Sequence, residues 1–120
     1  MAENKEEPIE WSDELHEKSD GTDPLEITTE KVERGYWFDV HSASICDQTT
    51  TNKLLELGVK YGDAYFPQVK RVAGTNNYTM TTPPTNFHVR QGGQIYAKVH
   101  SPTDKDICNL NFCGYLKRQK

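Results

Sequence analysis

The sequence predicts an all-β protein: a small antiparallel β-sandwich, jelly-roll or Greek-key in connection, carrying an extended acidic N-terminal arm. Three observations point there. Apolar and polar residues alternate over residues 53–60, 94–101 and 107–116, and a period of two marks a strand with one buried face. Turn sequences separate such runs at intervals of about 8–12 residues, the spacing of sandwiches and barrels. The charge is divided: residues 1–34 hold twelve acids and four bases, a net −8, whereas residues 35–120 hold six acids and ten bases, a net +4. The chain therefore divides into an arm, residues 1–34, and a sandwich domain, residues 35–120.

The arm is rich in Glu, Asp, Ser, Gly and Pro, and such a stretch buries too little apolar area to offset its own ordering entropy. Ile9, Trp11 and Leu15 interrupt it, and Leu25 and Ile27 follow Pro24. A short helix over residues 13–18, capped by Ser12, competes with an extended conformation. Isolated helices of that length are marginal, so the extended form is expected. Its five apolar residues, Ile9, Trp11, Leu15, Leu25 and Ile27, are the candidate partner-binding set, each suited to a pocket on a neighbouring subunit.

The remaining elements follow in order. Residues 25–33 form a strand that Gly35 breaks. In the strand over residues 36–46, Phe38 and Val40 share a face with Tyr36, while Ala43 and Ile45 fall on the parity of Trp37, Asp39 and His41. A polar loop spans 47–52. Leu55, Leu57 and Val59 line one face of the next strand. A turn at 61–63 leads to a strand over 64–72, where Pro67 marks an edge or a bulge. A loop at 73–77 and a short strand at 78–82 precede Pro83-Pro84. Phe87 and Val89 begin a strand before the turn at Gly92-Gly93, where glycine supplies positive φ. Ile95, Ala97 and Val99, then Cys108, Leu110, Phe112 and Leu116, face inward on the last two strands. The predicted core is Phe38, Val40, Leu55, Leu57, Val59, Phe87, Val89, Ile95, Ala97, Val99, Leu110 and Phe112.

Catalytic signatures are missing from the sequence. It holds no nucleophile elbow, dinucleotide fingerprint or phosphate loop, which argues against an enzyme. His88 and His100 lie on neighbouring predicted strands within reach of each other, but no acid of matching spacing accompanies them. They are expected to face solvent. Cys108 and Cys113 stand five residues apart on one strand, so their side chains point to opposite faces and do not share a zinc ion. No cofactor is implied. Three cysteines, an odd number, argue against a disulfide framework, and the missing apolar leader predicts reduced thiols and folding in a cytoplasm. No apolar run approaches the length of a membrane span. The Asn77-Tyr78-Thr79 sequon is read as chance. Lys70-Arg71 and the basic end at Lys117, Arg118 and Lys120 lack interleaved aromatics, which argues against nucleic acid. Tyr61, Tyr65, Tyr78, Tyr96, Tyr115 and Trp37 exceed what one small core needs, so some are expected in a sugar site or a protein interface.

One resemblance spans about two thirds of the chain. A polar loop (Asp47 to Asn52) is followed by Leu57-Gly58-Val59-Lys60-Tyr61-Gly62-Asp63 and the aromatic pair Tyr65-Phe66. Pro83-Pro84 then leads into Phe87-His88-Val89-Arg90-Gln91-Gly92-Gly93, and the pattern closes on Phe112-Cys113-Gly114-Tyr115-Leu116. This succession resembles small β-sandwich accessory proteins of tailed-bacteriophage virions. The resemblance implies a non-enzymatic structural role: a capsid decoration or cement protein, or a minor subunit of a spike, neck or tail. The implied partner is the major capsid protein or another virion protein, with the chain present as a homo-oligomer or in many copies. The alternative is a carbohydrate- or receptor-binding module of a spike or fibre.

Overall fold

The computed structural model describes residues 7–72, 80–81 and 87–119. Among the described residues nine strands form two antiparallel sheets, and no helix occurs. In chain order they are β1 (Ile9–Lys18), β2 (Leu25–Thr28), β3 (Tyr36–Asp47), β4 (Leu54–Tyr61), β5 (Ala64–Val72), β6 (Met80–Thr81), β7 (Phe87–Val89), β8 (Gly93–His100) and β9 (Ile107–Arg118). The first sheet runs β1-β9-β3, with β6 and β7 both pairing to the far side of β3; the second runs β2-β8-β4-β5. At one flank β1 lies over β2, and at the other β5 lies over β6. The chain is thus an all-β sandwich, as the alternation predicts.

The core fills the space between the sheets. Phe38, Val40, Leu55, Leu57, Val59, Val89, Ile95, Ala97, Val99, Leu110 and Phe112 are buried there, joined by Ile27, Val32, Ala43, Ile45 and Cys108. Phe87 belongs to β7, but its side chain lies outside the described residues, as do the loop at 73–77, the sequon and all but residues 80–81 of the strand expected over 78–82.

Ala43 and Ile45 reach the core despite their parity because β3 is bulged. Val40 pairs with Gly114 and Ser42 with Cys113, leaving His41 as an extra residue. One inserted residue exchanges the two faces of a strand from that point on. A second bulge sets Gly58 against Pro67 and Leu57 against Val69, so Gln68 is the extra residue and Pro67 sits on an edge strand, where its missing donor costs no ladder bond.

The N-terminal segment departs most from expectation. Residues 9–18 form neither a helix over 13–18 nor a free arm. They are β1, paired position by position with β9 from Ile9 opposite Leu116 to Lys18 opposite Ile107. Residues 25–28 are β2, paired to β8 from Leu25 opposite Val99 to Thr28 opposite Tyr96. Each is an edge strand of the sandwich. The backbone of β9 explains why: without β1, one of its sides would hold unpaired N–H and C=O groups along a long apolar strand.

Candidate interaction surfaces

The outer faces of the two sheets carry most of the ionisable chemistry. On the second sheet Glu56 is buried, with 5% of its surface exposed. Its carboxylate accepts a hydrogen bond from the Tyr96 hydroxyl at 2.5 Å and pairs with His100 Nε2 at 3.0 Å and Lys70 Nζ at 3.7 Å. Burial pulls this carboxyl up, but the Tyr96 and His100 bonds and the nearby lysines outweigh it and hold it below the ordinary range. Burial, and then the Glu56 charge, push the Tyr96 hydroxyl up. Tyr65 reaches across this face from β5: its ring meets Tyr96 edge-on at 4.8 Å, and its hydroxyl donates to Glu26 at 2.8 Å. Lys98 Nζ stands 3.7 Å from the Tyr65 ring centre, and Lys60 pairs with Glu26 at 3.0 Å.

On the first sheet Asp39 plays the equivalent part. Lys117 Nζ lies 3.1 Å away, and His41 Nε2 and His88 Nδ1 each lie 3.4 Å away. Burial raises its carboxyl; the Lys117 bond and charge and the two imidazoles more than reverse that. Trp37 meets His88 edge-on at 4.6 Å, and Lys117 lies over the indole at 5.2 Å.

His88 and His100 therefore do not approach each other: they lie in different sheets. Each has an acid that sequence spacing missed, Asp39 for one and Glu56 for the other. Trp37, Tyr65 and Tyr96, counted as surplus aromatics, close these outer faces against the chain's own residues. Among the described residues, no group of three His, Cys, Asp or Glu side chains is placed to hold a metal ion.

None of the three cysteines is in a disulfide. Cys108 points into the core, where burial and the charges of Asp47 and Asp106 push its thiol up to about 12. A thiol held that far from its thiolate is a poor nucleophile. Cys113 points outward, 3.0 Å from the Ser42 hydroxyl.

At one end of the sandwich two acids are buried side by side, Asp47 with 2% and Asp106 with 1% exposed. Asp47 Oδ1 accepts from the backbone N–H of Thr49 and of Thr50, each at 3.0 Å. Asp106 accepts from the Thr50 hydroxyl at 2.7 Å and from Thr103 N–H at 3.1 Å. Asp47 Oδ2 has no such donor. Burial and the adjoining Asp106 carboxylate push the Asp47 carboxyl up to about 6. A carboxyl whose folded value exceeds its unfolded one stabilises the fold in acid and loses that contribution as pH rises through the folded value. Wild-type stability therefore contains a component that declines between about pH 4 and pH 7. Asp47→Asn keeps the acceptor for Thr49 and Thr50 and offers Asp106 a permanent N–H. The variant is expected to gain about 2 kcal/mol at pH 8 and almost nothing at pH 4. Urea unfolding at the two pH values checks this; an equal gain at both would show that the Asp47 carboxyl is not raised in the folded protein.

Of the five residues expected to seek a partner's pockets, four occupy pockets of this chain. Ile27 is buried in the core, and Trp11, Leu15 and Leu25 pack against it half-buried. Trp11 stands 4.7 Å from Phe38 and 5.1 Å from Phe112, ring to ring. Ile9 alone of the five stays exposed, at 51%, although it shares the parity of Trp11 and Leu15. The other large exposed apolar residues are Phe66 at 52% and Val72 at 56%, both on edge strand β5, and the less exposed Ile107 and Tyr115 on β9.

Two clefts open at the flanks. One, of about 410 Å³, lies between β1 and residues 30–33; Ile9, Trp11, Val32 and Leu116 line it, with Glu10, Glu30, Lys31 and Glu33 around them. The other lies on the β5 side among Tyr61, Phe66, Arg90, Gln91 and Gln119.

No protein-family model matches the chain, and no curated protein does. Among solved structures it is similar to the Drosophila NLP core, a structure described for its pentamer formation and histone binding. The two share 13% identity over 93% of this chain and 100% of that one, with a TM-score of 0.41. So slight a likeness carries no argument about function.

Proposed function

We propose that the chain is a non-enzymatic structural subunit that binds other proteins through the flanks of its sandwich. The observation that carries this reading is where the unsatisfied surface lies. The ionisable and aromatic groups of both outer faces are largely engaged with one another around Glu56 and Asp39, whereas the three most exposed large apolar side chains, Ile9, Phe66 and Val72, sit on edge strands, with the less exposed Ile107 and Tyr115 on β9. Exposed apolar residues on unpaired strand edges favour protein association. The pattern shared with phage virion accessory proteins makes a capsid shell, built from the major capsid protein, the first partner to try, with the chain present in many copies. A sugar-binding role has less support, because the rings of Trp37, Tyr65 and Tyr96 are already in contact with Lys117, Lys98 and one another.

Cosedimentation with empty capsid shells, beside a glycan array, tests the reading. Saturable binding to shells and none to glycans is expected. Specific glycan binding without shell binding would overturn it in favour of the carbohydrate-binding alternative.

A further inference from the structure

We infer that the two flanks are complementary, and that copies of this chain associate head to tail, Phe66 of one copy entering the cleft beside β1 of the next. The inference deepens the proposed structural role and rests on it for its purpose, though not for its geometry.

The charge of the molecule is divided across its width. Residues 7–34, which build β1, β2 and the segment after them, hold ten acids and three bases. The opposite flank is edge strand β5, which carries no acid and holds Lys70, paired at 3.7 Å with Glu56, with the exposed Arg90 just beyond β7. Opposite charges on opposite flanks favour a heterologous contact over a two-fold one, since a two-fold axis would set like against like.

The apolar features match as well. Phe66 is 52% exposed and touches Tyr61 edge-on at 6.1 Å. The cleft on the acidic flank is floored by Ile9, Trp11, Val32 and Leu116 and rimmed by three acids, Glu10, Glu30 and Glu33, and one base, Lys31. A half-exposed ring at the wall of the β5-side cleft, with Arg90 beside it, thus faces, in the next copy, an apolar floor with a mainly glutamate rim. An aromatic anchor and an arginine are the residue types that carry most binding energy at such contacts.

Knob and cleft also lie at one level. Across the first sheet, Ile9 pairs with Leu116, Leu116 with Phe38, and Phe38 with Val89, whose neighbour is Arg90. Across the second, Thr29 N–H donates to the Ile95 carbonyl, Ile95 pairs with Val59, and Val59 with Phe66. Each row joins the acidic flank to the basic one at the same end of the sandwich. Successive copies are therefore related by a step across the strands, the arrangement that closes into a ring or continues as a row.

Sedimentation velocity over a wide concentration range tests this, with circular dichroism confirming that each variant folds. The wild type is expected to form species heavier than the 13.7 kDa chain, weakening as salt is raised. Phe66→Glu and Ile9→Arg, both at exposed positions, should each weaken self-association on the order of 100-fold. The decisive arm mixes the two variants. Phe66→Glu retains an intact cleft and Ile9→Arg an intact Phe66, so together they should form a 1:1 dimer that neither forms alone. A wild type that stays monomeric throughout, or variants that fail to complement, would overturn head-to-tail association. Shell binding by such a monomer would leave the structural role standing, and capture of a basic apolar peptide by its cleft would give the cleft to another partner.

Discussion

Phe38→Ala should destabilise the sandwich by about 3–5 kcal/mol, the range for truncating a fully buried aromatic residue. Phe38 is 0% exposed, and its ring meets Trp11 at 4.7 Å and Phe112 at 5.9 Å. Those three rings come from β1, β3 and β9, so the substitution empties the place where the edge strand is fastened to the two strands beside it. The surroundings cannot collapse into the gap without moving β1 away from β9. Urea unfolding followed by tryptophan fluorescence measures the loss, and it should also show Trp11 moving toward water. A loss under about 1 kcal/mol would mean that the three rings do not form one packed unit. Trp11→Ala is expected to cost less, because the indole is only half-buried.

Gly114→Ala should cost about 3 kcal/mol, the upper end of what overpacking a single methyl group does. Gly114 pairs with Val40 on β3 and with Trp11 on β1. A Cβ there would collide with the Asp39 carbonyl oxygen and stand 2.9 Å from the Phe38 ring. The obstacle is backbone of a neighbouring strand, and β9 is held on both sides, so neither can yield without breaking ladder bonds. The cost should be accompanied by displacement of Asp39 from Lys117, visible as a shift in the imidazole resonances of His41 and His88. A stable variant with unchanged histidine spectra would show that the β3 bulge relaxes freely.

Strands buried on one face and flanked by turns were legible in the sequence because their alternation is unbroken. β4, β8 and β9 are of this kind; β5 was legible instead from the turns that flank it, and its Pro67 signals an edge or a bulge. β3 was legible as a strand but not as one face, since the extra residue His41 leaves no mark in the pattern. β1 was not legible at all. Its inward parity runs Ile9, Trp11, Asp13, Leu15, Glu17, and two acids in five positions hide the alternation. An edge strand tolerates them, because Asp13 and Glu17 escape sideways into water and are exposed. The acid partners of the histidines were hidden for another reason: Asp39 and His88 are joined only by the pairing of β3 with β7, and Glu56 and His100 only by that of β4 with β8. The flank clefts depend on the same long-range pairings and have no local signature.

The position of β9 between β1 and β3 also governs when the protein becomes itself. Residues 19–106 separate β1 from the strand it pairs with, and a ribosome adding about 5–20 residues per second takes on the order of 4 to 18 s to make them. Throughout that interval Trp11 and Leu15 have no wall to rest on, and the whole first sheet waits for its central member. Pairings so distant along the chain also make folding slow once synthesis is complete. The nascent chain consequently spends seconds as an unpaired, strongly acidic segment followed by a half-built second sheet. Like negative charge on that early segment opposes edge-to-edge joining of neighbouring nascent chains before β9 arrives.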